Sequence, residues 1–359
     1  MKSKLLFLLL SPLALLYGLI TIIRNKLFDA GILQSYSPDI PTICIGNLTV
    51  GGTGKTPHTE FLLNLLITQY QTAVLSRGYG RKTKGFILAD KSHTSNIIGD
   101  ESLQIYRKFP QSTVVVCEDR KTGILNIQKL RPETEVILLD DAFQHRRVKT
   151  GFSILLTDYN RLHTRDFMMP SGRLREPASG YRRSDILIVT KCPEEIQSSE
   201  INQITKEVDP ENQKEVFFTT FEYGQLYPLF ENAGVAISED HLVNSELLLV
   251  TGIASPERIE KYLKQFTESV YSLTYSDHHH FSEKELKHIE SRFNALKSDN
   301  KMILITEKDA ARLINFKGIS NTLKKYIFVL PIRVKVLDNK EETLTQKISE
   351  YVRKNQRNS

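Results

Sequence analysis

The sequence predicts an α/β protein in which a mostly parallel β-sheet is flanked by helices. Short apolar runs alternate with amphipathic stretches from residue 41 onward, a pattern typical of parallel strands joined by helices. A glycine-rich loop follows the first of these runs, and a later run ends in two aspartates. The chain has 359 residues, and with about 150 residues per domain as a guide we expect two α/β lobes.

The composition is that of a globular protein. A quarter of the residues are charged and 40% are hydrophobic, which excludes a disordered tail, a collagen-like fibre and a multi-span transporter. The net charge is +6; with no basic stripe interleaved with aromatics, we expect no nucleic-acid partner. This small surplus suits an anionic membrane surface or an anionic substrate. Three widely spaced cysteines indicate reduced thiols and a reducing compartment: Cys44, Cys117 and Cys192.

The N-terminus is a long apolar run. Residues 5–23 contain no charged side chain, and at about 1.5 Å per residue the run approaches the thickness of a bilayer core. Basic residues flank it on both sides: Lys2, Lys4, Arg24 and Lys26. The absence of a small-residue cleavage site argues against a secretory signal. We predict a membrane-associated helix over residues 1–30, and the basic flanks favour a helix lying in the interface. A spanning helix remains an alternative, and a helix docked on the protein's own core is a less favoured one.

The apolar pattern divides the rest of the chain into two series of elements. Strands of the first series are predicted at residues 42–45, 72–75, 113–117, 136–139, 153–156 and 185–190. Helices are predicted at residues 57–70, 101–109 and 120–130. The second series of strands is predicted at residues 216–220, 247–251, 302–306 and 327–330. We therefore expect a nucleotide-binding domain over residues 31–222 and a second, smaller α/β lobe over residues 223–359.

The glycine-rich loop has the pattern of a phosphate-binding loop (P-loop). Residues 46–56 read Gly-Asn-Leu-Thr-Val-Gly-Gly-Thr-Gly-Lys-Thr and lie between an apolar strand and an amphipathic helix, the context that a P-loop requires. The strict pattern has glycine where this chain has Thr49. We predict that the nucleotide phosphates contact Thr49, Val50, Gly51, Gly52, Thr53, Gly54, Lys55 and Thr56. An ordinary glycine-rich turn is the simpler but less favoured interpretation.

A pair of aspartates completes the nucleotide motif. Asp140 and Asp141 follow the apolar run 136–139, as in the Walker-B strand, whose terminal carboxylate positions Mg²⁺ in P-loop proteins. We predict a magnesium site formed by Thr56 and these aspartates. Successive side chains of a strand point to opposite faces, so we expect only one of the two carboxylates to serve the metal.

Three classes of P-loop protein differ in residues that this sequence shows. A partition-type ATPase should have lysine before the glycine pair, where this chain has Val50. A GTPase should have an aspartate that reads guanine, and residues 190–193 read Thr-Lys-Cys-Pro. A small-molecule or lipid kinase remains. The non-enzymatic alternative is a membrane-docked module that switches partners with its nucleotide state.

A collinear series of motifs resembles the tetraacyldisaccharide 4'-kinases of lipid A biosynthesis. The motifs lie at residues 46–57, 76–81, 99–101, 140–145, 174–177, 276–279 and 306–309. The departures are modest: Ala142 stands where the family usually has glycine, and residues 170–173 vary a turn. The resemblance implies transfer of the ATP γ-phosphate to the 4'-hydroxyl of an acylated glucosamine disaccharide 1-phosphate. It also implies an enzyme at the cytoplasmic face of the bacterial inner membrane, held peripherally or monotopically.

The resemblance also implies roles for individual residues. Asp100 is assigned as the base, paired with His278, and Lys55 as the third catalytic residue; on sequence alone, Asp100 is also a good helix N-cap. Three arginines are candidate contacts for the substrate phosphate: Arg77, Arg120 and Arg175. We expect no metal site in the His278–His280 run, since three successive residues do not easily converge on one ion.

Overall fold

The predicted fold class is confirmed by a computed structural model of the chain. The structure describes residues 2–230, 237–253, 256–277, 279, 281–316 and 318–356, and for residues 2–8 it describes the backbone alone. His278 lies outside the described residues. The helices are α1 (Lys2–Asp29), α2 (Lys55–Leu66), α3 (Ser95–Ile98), α4 (Asp100–Lys108), α5 (Arg120–Leu130), α6 (Ser198–Val208), α7 (Glu257–Leu263), α8 (Glu283–Asn294), α9 (Glu307–Leu313), α10 (Asn321–Lys324) and α11 (Glu341–Asn355).

Two β-sheets form the framework. The strands are β1 (Thr42–Asn47), β2 (Thr72–Ser76), β3 (Ile87–Leu88), β4 (Thr113–Val116), β5 (Val136–Asp140), β6 (Phe152–Asp158), β7 (Ile186–Thr190), β8 (Glu215–Tyr223), β9 (Tyr227–Pro228), β10 (Glu246–Thr251), β11 (Val270–Thr274), β12 (Lys301–Thr306), β13 (Ile327–Leu330) and β14 (Ile332–Val336). Within the described residues, the larger sheet has the order β14-β8-β7-β6-β1-β5-β2-β4-β3 and the smaller one β11-β10-β12-β13-β9.

The larger sheet brings the nucleotide motifs together. Strand β1 is parallel to β5, with Ile45 opposite Asp140, and both strands are buried along their whole length. Continuous apolar strands of this kind are typical of a parallel sheet covered on both faces. Because neighbouring parallel strands end at the same edge, the loop after β1 lies beside the two aspartates at the end of β5. Ligands bind at this edge in open α/β sheets.

The chain returns to the larger sheet at its C-terminus, which differs from the predicted boundary of 223–359. Strand β14 pairs antiparallel with β8, and α11 buries Leu344, Ile348 and Val352 in a core cluster shared with the strands of the larger sheet. The second lobe therefore ends at β13. The exposed Arg333 and Lys335 alternate with more buried residues along β14, as expected for a strand at a sheet edge.

Helix α1 packs on the protein along one face only. Ala14 and Thr21 are buried, whereas Leu13, Leu16 and Ile20 each expose more than half of their surface. Burying apolar side chains is the main favourable contribution to folding, so an uncovered apolar row on a docked helix indicates a further contact surface. No helix in the described part of the chain has both the length and the apolar character needed to cross a membrane.

Candidate active site

The P-loop is built by the chain between β1 and α2. Gly51 and Gly54 have φ values of 110° and 85°, which glycine adopts without the steric cost that a Cβ imposes. A Cβ on Gly54 would also lie 2.8 Å from Cζ of Phe221. Helix α2 begins at Lys55, so its unsatisfied N–H groups and its positive dipole end point at the loop. This geometry suits an anion.

Neighbouring segments hold the loop in place. Asn47 Nδ2 donates to Thr53 Oγ1 at 2.8 Å, and Thr190 Oγ1 donates to the Thr53 carbonyl at 2.9 Å. The Val50 amide donates to the Arg173 carbonyl at 2.8 Å, and the Arg175 amide to the Leu48 carbonyl at 2.7 Å. Gly51 and Gly52 at the tip remain exposed. The loop is thus fixed at its base and open where phosphates would enter.

Three charged side chains meet beside the loop. Lys55 Nζ lies 3.7 Å from Asp141 Oδ2, and Arg175 Nη1 donates to Asp141 Oδ1 at 2.9 Å. Burial opposes ionisation of Asp141, but Lys55 and Arg175 outweigh it and hold the pKa of this carboxyl below its ordinary value. The φ of Asp141 is 47°, a left-handed conformation that asparagine and aspartate tolerate better than most residues. The site therefore has an ionised carboxylate bracketed by two cations.

Asp140 has the opposite electrostatic setting. Its side chain is buried and accepts a hydrogen bond from Thr59 Oγ1 at 3.3 Å. Burial, together with the charges of Glu101 and Asp141, raises the pKa of Asp140 to about 7. A cation at this point would relieve the repulsion between the two aspartates.

The three predicted phosphate-binding arginines lie in different settings. Arg175 is part of the cluster around Asp141, and Arg77 is exposed at the end of β2. Arg120 differs from the prediction because it is buried, 2% exposed, and its guanidinium donates to the carbonyls of Cys117 at 2.8 Å and Asp140 at 3.2 Å. It joins the ends of β4 and β5 and is not accessible to a substrate.

Asp100 is the first residue of α4 and is buried. Its Oδ1 accepts the Glu101 amide hydrogen at 3.0 Å, while its Oδ2 accepts from Arg312 Nε at 3.1 Å and from Arg312 Nη2. The N-cap residue is Gly99 and no side chain caps the helix, so the N-cap interpretation of Asp100 is wrong. Glu101 raises the pKa of Asp140 by its charge, which puts the start of α4 within electrostatic range of the aspartates.

Helix α1 reaches the same edge of the sheet. Tyr17 Oη donates to the Arg175 carbonyl at 2.8 Å, and Asn25 Nδ2 donates to Glu176 Oε2 at 2.9 Å. Gln144 connects the helix to the loop: its carbonyl accepts from Arg24, and its Nε2 donates to the Asn47 carbonyl at 2.8 Å. The apolar helix is therefore bonded to the residues that flank the candidate phosphate site.

Sequence reasoning missed several residues that organise this site. Glu176 accepts from Arg183 at 2.8 Å as well as from Asn25 and Gln144. His58 Nδ1 lies 2.7 Å from the Gly54 carbonyl, and burial lowers its pKa to about 4, which keeps the ring neutral. Arg312 was also missed. The motifs at 174–177 and 306–309 carried a signal for Glu176 and for the region of Arg312, whereas nothing in the local pattern marked His58.

The chain matches known proteins over nearly its whole length. The family model described as tetraacyldisaccharide-1-P 4'-kinase matches residues 6–353. A tetraacyldisaccharide 4'-kinase of Bacteroides thetaiotaomicron is 48% identical over 358 residues, covering 98% of this chain and 94% of the relative. One from Flavobacterium psychrophilum is 46% identical over 346 residues, covering 96% of each chain. The crystal structure of LpxK from Aquifex aeolicus in complex with ATP has a TM-score of 0.75 and 29% identity, covering 97% of this chain and 99% of that chain.

Proposed function

This chain belongs to the tetraacyldisaccharide-1-phosphate 4'-kinase family, and we propose that it phosphorylates the 4'-hydroxyl of a tetraacylated glucosamine disaccharide 1-phosphate with ATP. The product is the 4'-phosphorylated lipid A precursor, lipid IVA. The observation that carries the proposal is the Lys55–Asp141–Arg175 cluster, which lies between the P-loop and the docked helix α1. This arrangement suits an enzyme that meets a phosphate donor and a lipid acceptor at one edge of a sheet.

The nucleotide would lie on the loop from Thr49 to Thr56. Backbone N–H groups of the loop and the N-terminus of α2 would receive the phosphate oxygens. Lys55 would exchange its contact with Asp141 for the β- and γ-phosphates, where positive charge stabilises the transferring group. Nucleotide binding thus replaces one ion pair by another.

The residues present fit Mg²⁺. Among the described residues, no group of three or more His, Cys, Asp or Glu side chains could hold a metal ion, so the protein would supply only some of the oxygens around Mg²⁺. Mg²⁺ in kinases is typically held by one or two carboxylates with phosphate and water oxygens, and it neutralises charge on the phosphates. Thr56, Asp140 and Asp141 supply suitable oxygens. Burial and the charges of Glu101 and Asp141 raise the pKa of Asp140, and a cation at this point would favour its ionised form.

We assign the acceptor chemistry to Asp100 with His278. Asp100 would take the proton of the 4'-hydroxyl while the bond from that oxygen to the γ-phosphorus forms and the bond to the β,γ-bridging oxygen breaks, so that ADP leaves. Arg77 and Arg175 would contact phosphate oxygens of the substrate or nucleotide. Arg120 would not contact the substrate. As a buried cation, it would lower the repulsion between Asp140 and Asp141.

The lipid substrate explains the exposed apolar row of α1. The acyl chains of a tetraacylated acceptor remain in a bilayer, and a helix lying in the interface would hold the site beside them. The exposed Leu13, Leu16 and Ile20 would enter the acyl region, while Tyr17 and Asn25 on the other side bond to the site. We therefore propose peripheral or monotopic attachment to the cytoplasmic face of the bacterial inner membrane.

The test is an assay with γ-labelled ATP, Mg²⁺ and the tetraacyldisaccharide 1-phosphate, presented either in anionic vesicles or in detergent. We expect label in the lipid at the 4' position. The triple variant Leu13→Asn, Leu16→Asn, Ile20→Asn should lose transfer in vesicles and keep it in detergent. ATP hydrolysis without lipid labelling under both conditions would instead favour the nucleotide-dependent switch.

Asp140 provides a prediction on pH and stability. Its pKa is raised from 3.8 to about 7 in the folded protein, so its favourable contribution to folding is complete below pH 3.8 and is lost as the pH rises through 7. Without Mg²⁺, Asp140→Asn should therefore raise the Tm at pH 8, by about 1–2 °C for each kcal/mol gained in a chain of this length, with less gain at pH 5. Thermal unfolding at the two pH values measures this.

The same variant should also lose its response to Mg²⁺ and most of its kinase activity. Asp90→Asn is the control because Asp90 is exposed and hydrogen bonds from Ser92 lower its pKa; removing that carboxylate should give no gain at pH 8. An equal Tm difference between wild type and Asp140→Asn at pH 5 and pH 8 would contradict the electrostatic account of Asp140.

A further inference from the structure

A buried arginine joins the two lobes at the candidate base. Arg312 lies in α9 of the second lobe, and only 2% of its side chain is exposed. Its Nε and Nη2 donate to Asp100 Oδ2 in the larger domain, the first at 3.1 Å. Its Nη1 donates to Asp309 Oδ1 at 3.1 Å and to the Gly252 carbonyl at 3.2 Å. One guanidinium therefore joins Asp100 to a helix residue that lies 212 positions later in the chain.

The second lobe fixes the orientation of this guanidinium. Asp309 is fully buried; its Oδ2 accepts from Thr306 Oγ1 at 2.6 Å, and its Oδ1 accepts the Gly252 amide hydrogen at 3.1 Å. Because the guanidinium is planar, fixing its Nη1 edge at Asp309 and Gly252 sets the direction of the Nε–Nη2 edge. That edge meets Asp100.

We propose that Arg312 is a positioning residue for phosphoryl transfer, which holds the Asp100 carboxylate ionised and oriented when the second lobe is docked on the larger domain. The inference rests on the proposed function, since it takes Asp100 as the base. Two bonds to Oδ2, together with the Glu101 amide on Oδ1, define the rotation of the carboxylate. Preorganising a reacting group in this way matters because a misplacement of about 1 Å can lower the rate about 100-fold.

If the Arg312–Asp100 ion pair were purely structural, removing Arg312 would lower the Tm but leave kcat and its pH profile unchanged. Besides Arg312 and Asp309, the described charged groups at this junction include Lys308 and Glu307 on α9, Glu101, Arg107 and Lys108 on α4, Glu60 on α2, and Asp277. Lys308 Nζ lies 3.4 Å from Glu101 and 3.3 Å from Asp277. Lys308 and Lys108 pair with other carboxylates. Removing Arg312 would take away the cation that bonds directly to Asp100, and a carboxylate that loses such a partner requires a higher pH to ionise.

The test compares Arg312→Gln and Arg312→Lys with the control Arg107→Gln. Arg107 also crosses between the lobes, donating to Asn315 Oδ1 at 3.2 Å, but its contact is exposed and does not involve Asp100. We expect kcat to fall about 100-fold in Arg312→Gln, with the acid limb of the pH–kcat profile moved to higher pH and the KM for ATP within about twofold of wild type. Arg312→Lys should restore the acid limb and part of kcat, and Arg107→Gln should match wild type.

Asp100→Ala separates this inference from the proposed function. If Asp100→Ala keeps wild-type turnover, the assignment of the base fails. If Asp100→Ala is inactive while Arg312→Gln has a wild-type kcat or an unmoved acid limb, the positioning role alone is overturned. Should Arg312→Gln not fold, wild-type kcat in Arg312→Lys overturns it. Adding Arg312→Gln to Asp100→Ala should lower kcat little further, because the two residues act as one unit.

Discussion

Replacing Lys55 by alanine is expected to lower kcat for lipid phosphorylation by about 100- to 1,000-fold, the usual loss when a preorganised charge at a reacting group is removed. Lys55 is the first residue of α2, and its ammonium group lies 3.7 Å from Asp141. In the proposed complex this group stabilises negative charge on the transferring phosphate. No other lysine in the described structure pairs with either of the two aspartates, so its loss should not be compensated.

Single-turnover transfer from labelled ATP measures the rate of phosphoryl transfer. Calorimetric binding of a non-hydrolysable ATP analogue measures the affinity for the nucleotide separately. Lys347→Ala is a matched control, because Lys347 forms an exposed ion pair with Glu215 at 2.8 Å, where pairs contribute little. Lys55→Ala should remain folded, since Arg175 still pairs with Asp141. Unchanged lipid phosphorylation in Lys55→Ala would refute the assignment of the phosphate loop.

The nucleotide edge of the fold could be predicted from sequence because its signals are local. A loop of eleven residues contains the glycines, lysine and threonine of the P-loop (Gly46–Thr56), and an apolar run ends directly at Asp140. Because the structure makes β1 and β5 parallel neighbours, the rule that such strands end at one edge places Lys55 beside Asp141. The observed ion pair between Lys55 and Asp141 agrees with that reasoning.

The domain boundary could not be predicted, because it depends on non-local pairing. The sequence of residues 332–336 does not indicate which sheet this strand joins. It pairs with β8, more than a hundred residues earlier, and does not extend the second sheet. An edge strand with alternating exposure fits either sheet. Burial of Leu344, Ile348 and Val352 of α11 in the larger core decides the matter.

The side-chain partners of the arginines could not be predicted either, because they also depend on contacts between distant parts of the sequence. Arg120 resembles a surface arginine in sequence, yet burial pairs it with backbone carbonyls that the chain places at the ends of β4 and β5. Arg312 follows the motif at 306–309, but its partner Asp100 lies in another domain. A motif indicates that a region matters, and the tertiary fold decides which atoms meet.

Replacing Asp100 by asparagine is expected to lower kcat by about 100- to 10,000-fold, the usual contribution of a general base, while ATP binding remains within about twofold of wild type. Asparagine has the same shape and can still accept the Glu101 amide hydrogen, which Asp100 binds at 3.0 Å, but it does not take a proton from a hydroxyl near neutral pH. Initial rates with saturating lipid in detergent, together with ATP-analogue binding, provide the measurement.

Alanine at the same position separates catalysis from stability. Both variants remove the charged partner of the buried Arg312, which destabilises a protein. Asparagine keeps one acceptor oxygen and alanine keeps none, so the Tm of Asp100→Ala should fall below that of Asp100→Asn while both variants show the same low kcat. Asp209→Asn is the control, because this buried carboxylate accepts the Lys214 amide hydrogen at 2.6 Å and has no assigned part in the reaction. It should lower the Tm and leave kcat unchanged. If kcat instead followed Tm across all three variants, Asp100 would be a structural residue and another group would have to accept the proton of the 4'-hydroxyl.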